Sequence, residues 1–150
     1  MVLLIGDVAQ DARDREAFQE VDFVGMAPTP AVAFLAQHHG CAGAVVTASH
    51  NPYTDNGLKF FREGGTKLSD DEERAIQSIY EQLVSTNERY VEPSLHDGPV
   101  SLDAYVDHVC AAGTSVRRGT RIVVDCANGA MSAVAPNIVP PKLLPRAIAM

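Results

Sequence analysis

The stretch AVVTASHNPYTDNGLKFF, residues 44–61, contains two short apolar segments separated by a polar loop. The segments 44–47 and 58–61 each have the length and apolar character of a β-strand. Between them, Asp55-Asn56-Gly57 is a strong turn signal, because Asn and Gly tolerate a positive φ. We therefore predict a strand, a loop and a second strand, with Ser49 in the loop directly after the first strand.

Helix and strand signals alternate along the rest of the chain. We expect further strands at 2–5, 21–24 and 121–124, and helices at 11–18, 31–39 and 102–112, with another helix starting after Ser69. This alternation predicts an α/β fold. Because ligands in such folds bind at the carboxyl ends of strands, Ser49 stands where a site is expected.

Composition excludes some classes of function. The 150 residues carry a net charge of −7, which argues against nucleic-acid binding but allows a small anionic substrate at a local site. The three cysteines have no disulfide or metal-ligand spacing, which favours a reduced, cytoplasmic protein. No apolar run approaches the roughly 20 residues of a membrane span, so we expect no membrane association.

Two helices carry features that invite a metal interpretation, and simpler explanations account for both. His38 and His39 end the helix before Gly40, where partial positive charge suits the helix dipole, so we expect exposed side chains. The acidic run after Ser69 is explained by a capping box between Ser69 and Glu72. That helix also carries an apolar stripe, formed by Ala75, Ile76, Ile79, Tyr80 and Leu83.

Three interpretations of the Ser49 loop follow from its residues. In the first interpretation, the loop is only a surface turn, since its residue types are common in turns. Alternatively, Ser49 and His50 act as nucleophile and base of a hydrolase, although sequence neighbours rarely have that geometry. In the third interpretation, Ser49 carries a phosphoryl group that Mg²⁺, Lys59 and His50 stabilise, and Asn51 orients the loop.

Four motifs resemble the α-D-phosphohexomutases: GMAPTPAVAFLA (25–36), TASHNPYTDNGLKFF (47–61), GGTKLSDDEE (64–73) and RIVVDCANGA (121–130). They occur in that family's order between about residues 21 and 136. The Ser-His-Asn-Pro loop is specific to the superfamily. The pattern Asp-Asn-Gly-x-Lys-Phe-Phe followed by Gly-x-Lys-Leu is most similar to the bacterial phosphoglucosamine mutase branch.

The resemblance implies a fold and a chemistry. The fold is a mixed sheet with flanking helices in a partial first domain, 1–98, followed by the start of a second α/β domain, 99–150. Family members interconvert glucosamine 6-phosphate and glucosamine 1-phosphate through a sugar 1,6-bisphosphate, and they are often homodimers. The serine matching Ser49 is a phosphoserine whose oxygen binds Mg²⁺. Lys59 and His50 lie near the transferred phosphate, and Asn51 supports the loop.

The sequence also departs from the family. The D-G-D-x-D-R motif, whose three aspartates complete the magnesium site, does not occur, and the tail from about residue 137 fits no part of the family. Asp125 is not one of those aspartates, and we expect a structural role for it. We therefore expect a truncated chain that is inactive alone. Two alternatives stay open. The chain is a non-catalytic remnant, or the family member to which it corresponds has phosphomannomutase/phosphoglucomutase specificity.

Overall fold

The computed structural model describes residues 2–5, 20–48, 51–52, 54–86, 94–95, 100–113 and 122–139. Five strands form one mixed sheet in the order β4-β3-β1-β2-β5. The strands are β1 (Val2–Ile5), β2 (Glu20–Gly25), β3 (Ala42–Val46), β4 (Leu58–Phe61) and β5 (Ser94–Leu95). The predicted strands at 2–5, 21–24 and 58–61 are confirmed, and the strand predicted at 44–47 begins two residues earlier.

Strand direction decides which loops meet at one edge of the sheet. β1 is antiparallel to β2 and β3, β4 is antiparallel to β3, and β5 is parallel to β2. β2 and β3 therefore run in the same direction, and their carboxyl ends lie at the same edge. The loop after β3, which contains Ser49, leaves the sheet from that edge.

The first helix, α1 (Thr29–His39), covers one face of the sheet. Pro30 lies in its first turn, where a missing N–H costs nothing. Gly40 ends the helix in the left-handed region at φ 63°, and its N–H lies against the carbonyl groups of Ala36 and Gln37. Gly43 on β3 allows α1 to approach closely, since a Cβ there would lie 3.0 Å from Val32 Cγ1. The helix ends at the predicted residue, His39, and it begins at Thr29, two residues before the predicted start.

The core lies between α1 and the sheet and extends to the carboxyl-terminal part of the chain. Tyr105 of α3 (Asp103–Ala112) and Val134, which precedes the short helix α4 (Ala135–Ile138), belong to the same buried cluster as Leu35. The other buried members of this cluster are Val24, Ala27, Ala31, Val32, Ala36, Val45 and Phe61. A mixed sheet with flanking helices is therefore confirmed, while the division near residue 98 stays a prediction.

The second helix, α2 (Asp70–Thr86), has no buried residue. Its apolar stripe is present, but Ile79 is 55% exposed and Tyr80 is 62% exposed. The predicted capping box forms in part. Glu72 Oε2 accepts from the backbone N–H of Ser69 at 2.9 Å, while the Ser69 hydroxyl donates to the same carboxylate at 2.5 Å. The described part of α2 is therefore held at its first turn, with its stripe in solvent.

Two predictions are wrong in the described residues. Residues 122–124 form no strand, and Val123 is 94% exposed, because no described strand pairs with this segment. Asn56 and Gly57 do not adopt a positive φ; the chain turns earlier, where the Asp55 N–H donates to Pro52 O at 2.9 Å.

The predicted helix 11–18 lies outside the described residues. None of the described helices is both long enough and apolar enough to cross a membrane.

Candidate functional site

The loop between β3 and β4, residues 47–57, is closed at its base by one backbone hydrogen bond. The N–H of Thr47 donates to the carbonyl oxygen of Gly57 at 2.9 Å. A Cβ on Gly57 would lie 3.2 Å from Thr47 O, which is a tight contact. Gly57 is therefore favoured here by the close approach of two backbones rather than by a positive φ.

Two backbone hydrogen bonds lie within this loop. The Asn51 N–H donates to Ala48 O at 3.0 Å, and the Asp55 N–H donates to Pro52 O. The side chains are also linked, because Asn51 Nδ2 donates to Asp55 Oδ2 at 3.2 Å. Ser49 and His50 themselves lie outside the described residues. The structure therefore describes the chain on both sides of the predicted nucleophile.

Lys59 lies next to this loop on β4. It stands opposite Val45 in the β3–β4 ladder, two residues before the buried Phe61. Because side chains alternate along a strand, Lys59 shares the sheet face of Phe61, which α1 covers. Lys59 is half-buried and forms no salt bridge with another described residue. It is thus a cation without a carboxylate partner in the described part of the chain.

A cavity of about 210 Å³ opens at the shared carboxyl ends of β2 and β3. Thr29 and Thr47 contribute its two hydroxyl-bearing side chains. The other lining residues are Met26, Ala27, Val45, Val46 and Ala130. Our sequence reasoning missed this lining. The available signal was that the segment 25–30 joins a strand to a helix at the edge from which the Ser49 loop leaves.

The groups that invite a metal interpretation have other partners. His38 is exposed and stacks on Phe34 at a ring-centroid distance of 5.5 Å, and His108 contacts the same ring at 4.7 Å. Asp125 Oδ1 accepts from the Ala127 N–H at 2.8 Å, which agrees with the structural role expected for it. Among the described residues, no group of three or more His, Cys, Asp or Glu side chains is arranged to hold a metal.

The acidic first turn of α2 is compensated by basic side chains. Arg62 pairs with Glu72, Arg74 pairs with Asp71, and Lys67 Nζ lies 3.2 Å from Glu73 Oε1. The Arg62 guanidinium, with help from Ser69, lowers the pKa of Glu72 from 4.5 to about 2. These three carboxylates are therefore paired with basic side chains at the start of α2.

The first comparison concerns a protein family. The family model described as "Phosphoglucomutase/phosphomannomutase, alpha/beta/alpha domain I" matches residues 17–87. This range begins before β2 and ends after α2, so it contains α1, β3, β4, the Ser49 loop and Lys59. The match therefore covers every residue of the candidate site except Ala130 of the cavity lining.

The second comparison concerns individual proteins. A phosphoglucosamine mutase of Corynebacterium jeikeium (strain K411) is 45% identical over 125 residues, which are 80% of this chain and 28% of that protein. The phosphoglucosamine mutase of Acidothermus cellulolyticus is 45% identical over 118 residues, 77% of this chain and 25% of its own length. That of Actinobacillus succinogenes is 42% identical over 121 residues. The chain thus spans about a quarter of the length of these curated relatives.

Proposed function

Because this chain belongs to the phosphoglucomutase/phosphomannomutase family, we propose that it supplies the phosphoryl-carrying serine, Ser49, of a hexose-phosphate mutase. The observation that carries the proposal is the position of the Ser-His-Asn-Pro loop. It follows β3 at the edge where β2 also ends, beside a half-buried lysine that forms no salt bridge with a described residue. An anionic phosphate is the natural partner of such a cation.

The proposed reaction is a phosphoryl transfer in two directions. The phosphoserine at position 49 gives its phosphoryl group to a hydroxyl of a sugar monophosphate, and a sugar 1,6-bisphosphate forms. The Oγ–P bond breaks and the new sugar O–P bond forms, while the attacking sugar hydroxyl loses its proton and the departing Ser49 Oγ takes one up. After the bisphosphate reorients, the Ser49 hydroxyl attacks the other phosphate and loses its proton, the sugar O–P bond at that phosphate breaks, and the departing sugar oxygen is protonated. The net result is an isomerised sugar monophosphate and a regenerated phosphoserine.

The other candidate residues would act through charge and position. Lys59 would neutralise charge on the transferred phosphoryl group, and His50 would donate to one of its oxygens. Asn51 would orient the loop. Such transfers depend mainly on positioning and electrostatic stabilisation, so no further covalent chemistry is required of these residues.

Magnesium is part of the proposal by family resemblance. A phosphoserine oxygen at position 49 would be one ligand, since Mg²⁺ prefers hard oxygen ligands. The described residues do not complete such a site, because they contain no suitable group of three metal-ligating side chains. The remaining carboxylates of the family's motif are not found in residues 1–150.

The substrate we propose is a hexosamine phosphate, glucosamine 6-phosphate or glucosamine 1-phosphate. The relatives named phosphoglucosamine mutase support this choice. Phosphomannomutase/phosphoglucomutase specificity is the alternative, because the matching family model carries those names. We further propose a cytoplasmic location, a homodimer, and domain limits at 1–98 and 99–150.

The experiment is to incubate the 150-residue chain with glucosamine 1,6-bisphosphate and Mg²⁺ and to measure phosphorylation of the Ser49 peptide by mass spectrometry. We expect one added phosphoryl group at Ser49 and none in the Ser49→Ala variant. Mannose 1,6-bisphosphate in a parallel reaction compares the two specificities. Phosphorylation at another residue, or none with either sugar, would contradict the proposal. We expect no complete mutase cycle from this chain, and turnover would refute that expectation.

A non-catalytic binding role is the second candidate, and the exposed apolar stripe of α2 favours it. Ile79 and Tyr80 of this stripe are each more than half exposed, as is the nearby Val84, and large exposed apolar patches mark interaction surfaces. Binding of a hydrophobic dye together with self-association, in a chain that does not accept a phosphoryl group, would support this second role. A monomer that melts cooperatively and binds no dye would argue against it.

A further inference from the structure

We infer that Asp55 is a positioning residue that orients Asn51 in the loop that carries Ser49, an inference that rests on the proposed function. The relevant contact is the hydrogen bond from Asn51 Nδ2 to Asp55 Oδ2, at 3.2 Å. The proposed function gives Asp55 no role of its own, although Asp55 belongs to the Asp-Asn-Gly turn signal. The contact explains why a carboxylate is useful there.

Asn51 is held on two sides. Its backbone N–H donates to Ala48 O at 3.0 Å, and the two residues between these partners in the sequence are Ser49 and His50. Its side chain donates to Asp55. The orientation of Asn51 therefore sets one end of the short segment that contains the predicted nucleophile.

Asp55 is itself held in place. Its N–H donates to Pro52 O at 2.9 Å, and the Thr54 hydroxyl donates to Asp55 Oδ1 at 3.5 Å. The base of the loop is closed independently by Thr47 and Gly57. Asp55 thus connects a fixed point near β4 to the half of the loop that precedes Pro52.

These side chains are exposed, so their hydrogen bond competes with water and adds little to global stability. Its expected effect is on orientation. Reaction rates depend steeply on the position of the attacking atom, and a displacement of about 1 Å can cost about 10²-fold. A weak surface contact can therefore matter for the reaction without mattering for folding.

The test uses four variants of the 150-residue chain. Asp55→Leu removes the acceptor, and Asp55→Asn keeps one acceptor oxygen without the charge. The double variant Asn51→Asp/Asp55→Asn restores an amide-to-carboxylate hydrogen bond in the reverse direction. Asp107→Leu removes the same charge from an exposed site on α3 and serves as the control.

Two readouts are needed. Backbone ¹⁵N relaxation of Ala48, Asn51 and Thr54 reports the order of the loop, and the rate of Ser49 phosphorylation by glucosamine 1,6-bisphosphate reports its reactivity. We expect Asp55→Leu to increase loop motion and to slow phosphorylation by about 10- to 100-fold. Asp55→Asn should change both less, the double variant should restore both, and Asp107→Leu should match the wild type.

Failure of the inference differs from failure of the proposed function. If the wild type is not phosphorylated, the proposed function fails, and relaxation alone decides whether Asp55 orders the loop. Unchanged relaxation in Asp55→Leu overturns the inference in either case. If the wild type is phosphorylated, an unchanged phosphorylation rate in Asp55→Leu also overturns the inference. A double variant that restores neither readout overturns it as well.

Discussion

Gly65 lies against the backbone of Ala33 in α1, so close that a Cβ at position 65 would be 2.2 Å from the Ala33 carbonyl oxygen. Gly65 also has φ +72°, in the region that residues with a side chain rarely adopt. The turn after β4 is thereby packed onto the helix that covers the sheet. Both the conformation and the contact require glycine.

Replacing Gly65 by alanine should destabilise the fold by more than about 2 kcal/mol. The left-handed conformation alone costs about 1–2 kcal/mol for an L-residue, and the overlap with Ala33 adds to it. Chemical denaturation monitored by circular dichroism measures the change. Gly64→Ala is the matched control, because nothing lies within 4 Å of a Cβ there; it should shift stability by less than about 0.5 kcal/mol. Equal effects would mean that the turn does not pack as described.

Two apolar truncations should separate the core from the α2 stripe. Leu35 is 1% exposed, so Leu35→Ala should cost about 2–5 kcal/mol through lost burial and a cavity. Ile79 is 55% exposed, so Ile79→Ala should change the free energy of unfolding by less than about 0.5 kcal/mol. Urea denaturation of both variants provides the comparison. A large cost at Ile79 would show that the stripe is covered in solution.

Removing the positive charge of Lys59 should slow phosphorylation of Ser49. A preorganised cation that stabilises charge on a transferred group contributes about 10²-fold, so we expect a loss of that order in Lys59→Met. Lys59→Arg should keep part of the rate, because it keeps the charge. Quantitative mass spectrometry of the Ser49 peptide over time measures these rates.

Lys67→Met controls for the loss of a lysine, since Lys67 is exposed and pairs with Glu73. Its phosphorylation rate should equal that of the wild type. Equal losses of rate in the Lys59 and Lys67 variants would mean that net charge causes the effect, and not the position of Lys59 in the β3–β4 ladder.

The start of α2 should respond to acid through Glu72. The pKa of this carboxyl is lowered from 4.5 to about 2, chiefly by the hydrogen bond from Arg62. A group whose folded-state pKa is lowered stabilises the fold above its unfolded pKa and loses that contribution as pH falls through the folded value. The order of the first turn should therefore decline between about pH 4.5 and about pH 2.

A titration of the Glu72 carboxyl carbon by NMR checks this directly. Arg62→Gln should move its midpoint back toward 4.5, since the main cause of the shift is removed. Glu72→Gln should abolish this component of the pH dependence. A midpoint near 4.5 in the wild type would rule out the ion pair in solution.

Local sequence chemistry was sufficient for several features of this fold. The αL glycine at position 40 gave the end of α1, and the proline at position 30 gave its start to within two residues, because φ restrictions and a missing N–H act on single residues. The short apolar segment 58–61 gave β4, because its length and apolar character are typical of a strand. The Asp-Asn-Gly signal was misleading. Gly57 is favoured by its close contact with Thr47 O, and not by the positive φ that this signal usually indicates.

The amino-acid sequence by itself determined that the loop of residues 47–57 follows a strand and that helices lie on either side of this region, because these features depend on residue types and short spacings. Tertiary structure decided the rest. Strand directions place the ends of β2 and β3 together and form the cavity that Thr29 shares with Thr47. No strand in the described part of the chain pairs with residues 122–124, despite their β-branched residues. Both outcomes depend on pairing between distant segments, and no local pattern encodes which partner a strand will find.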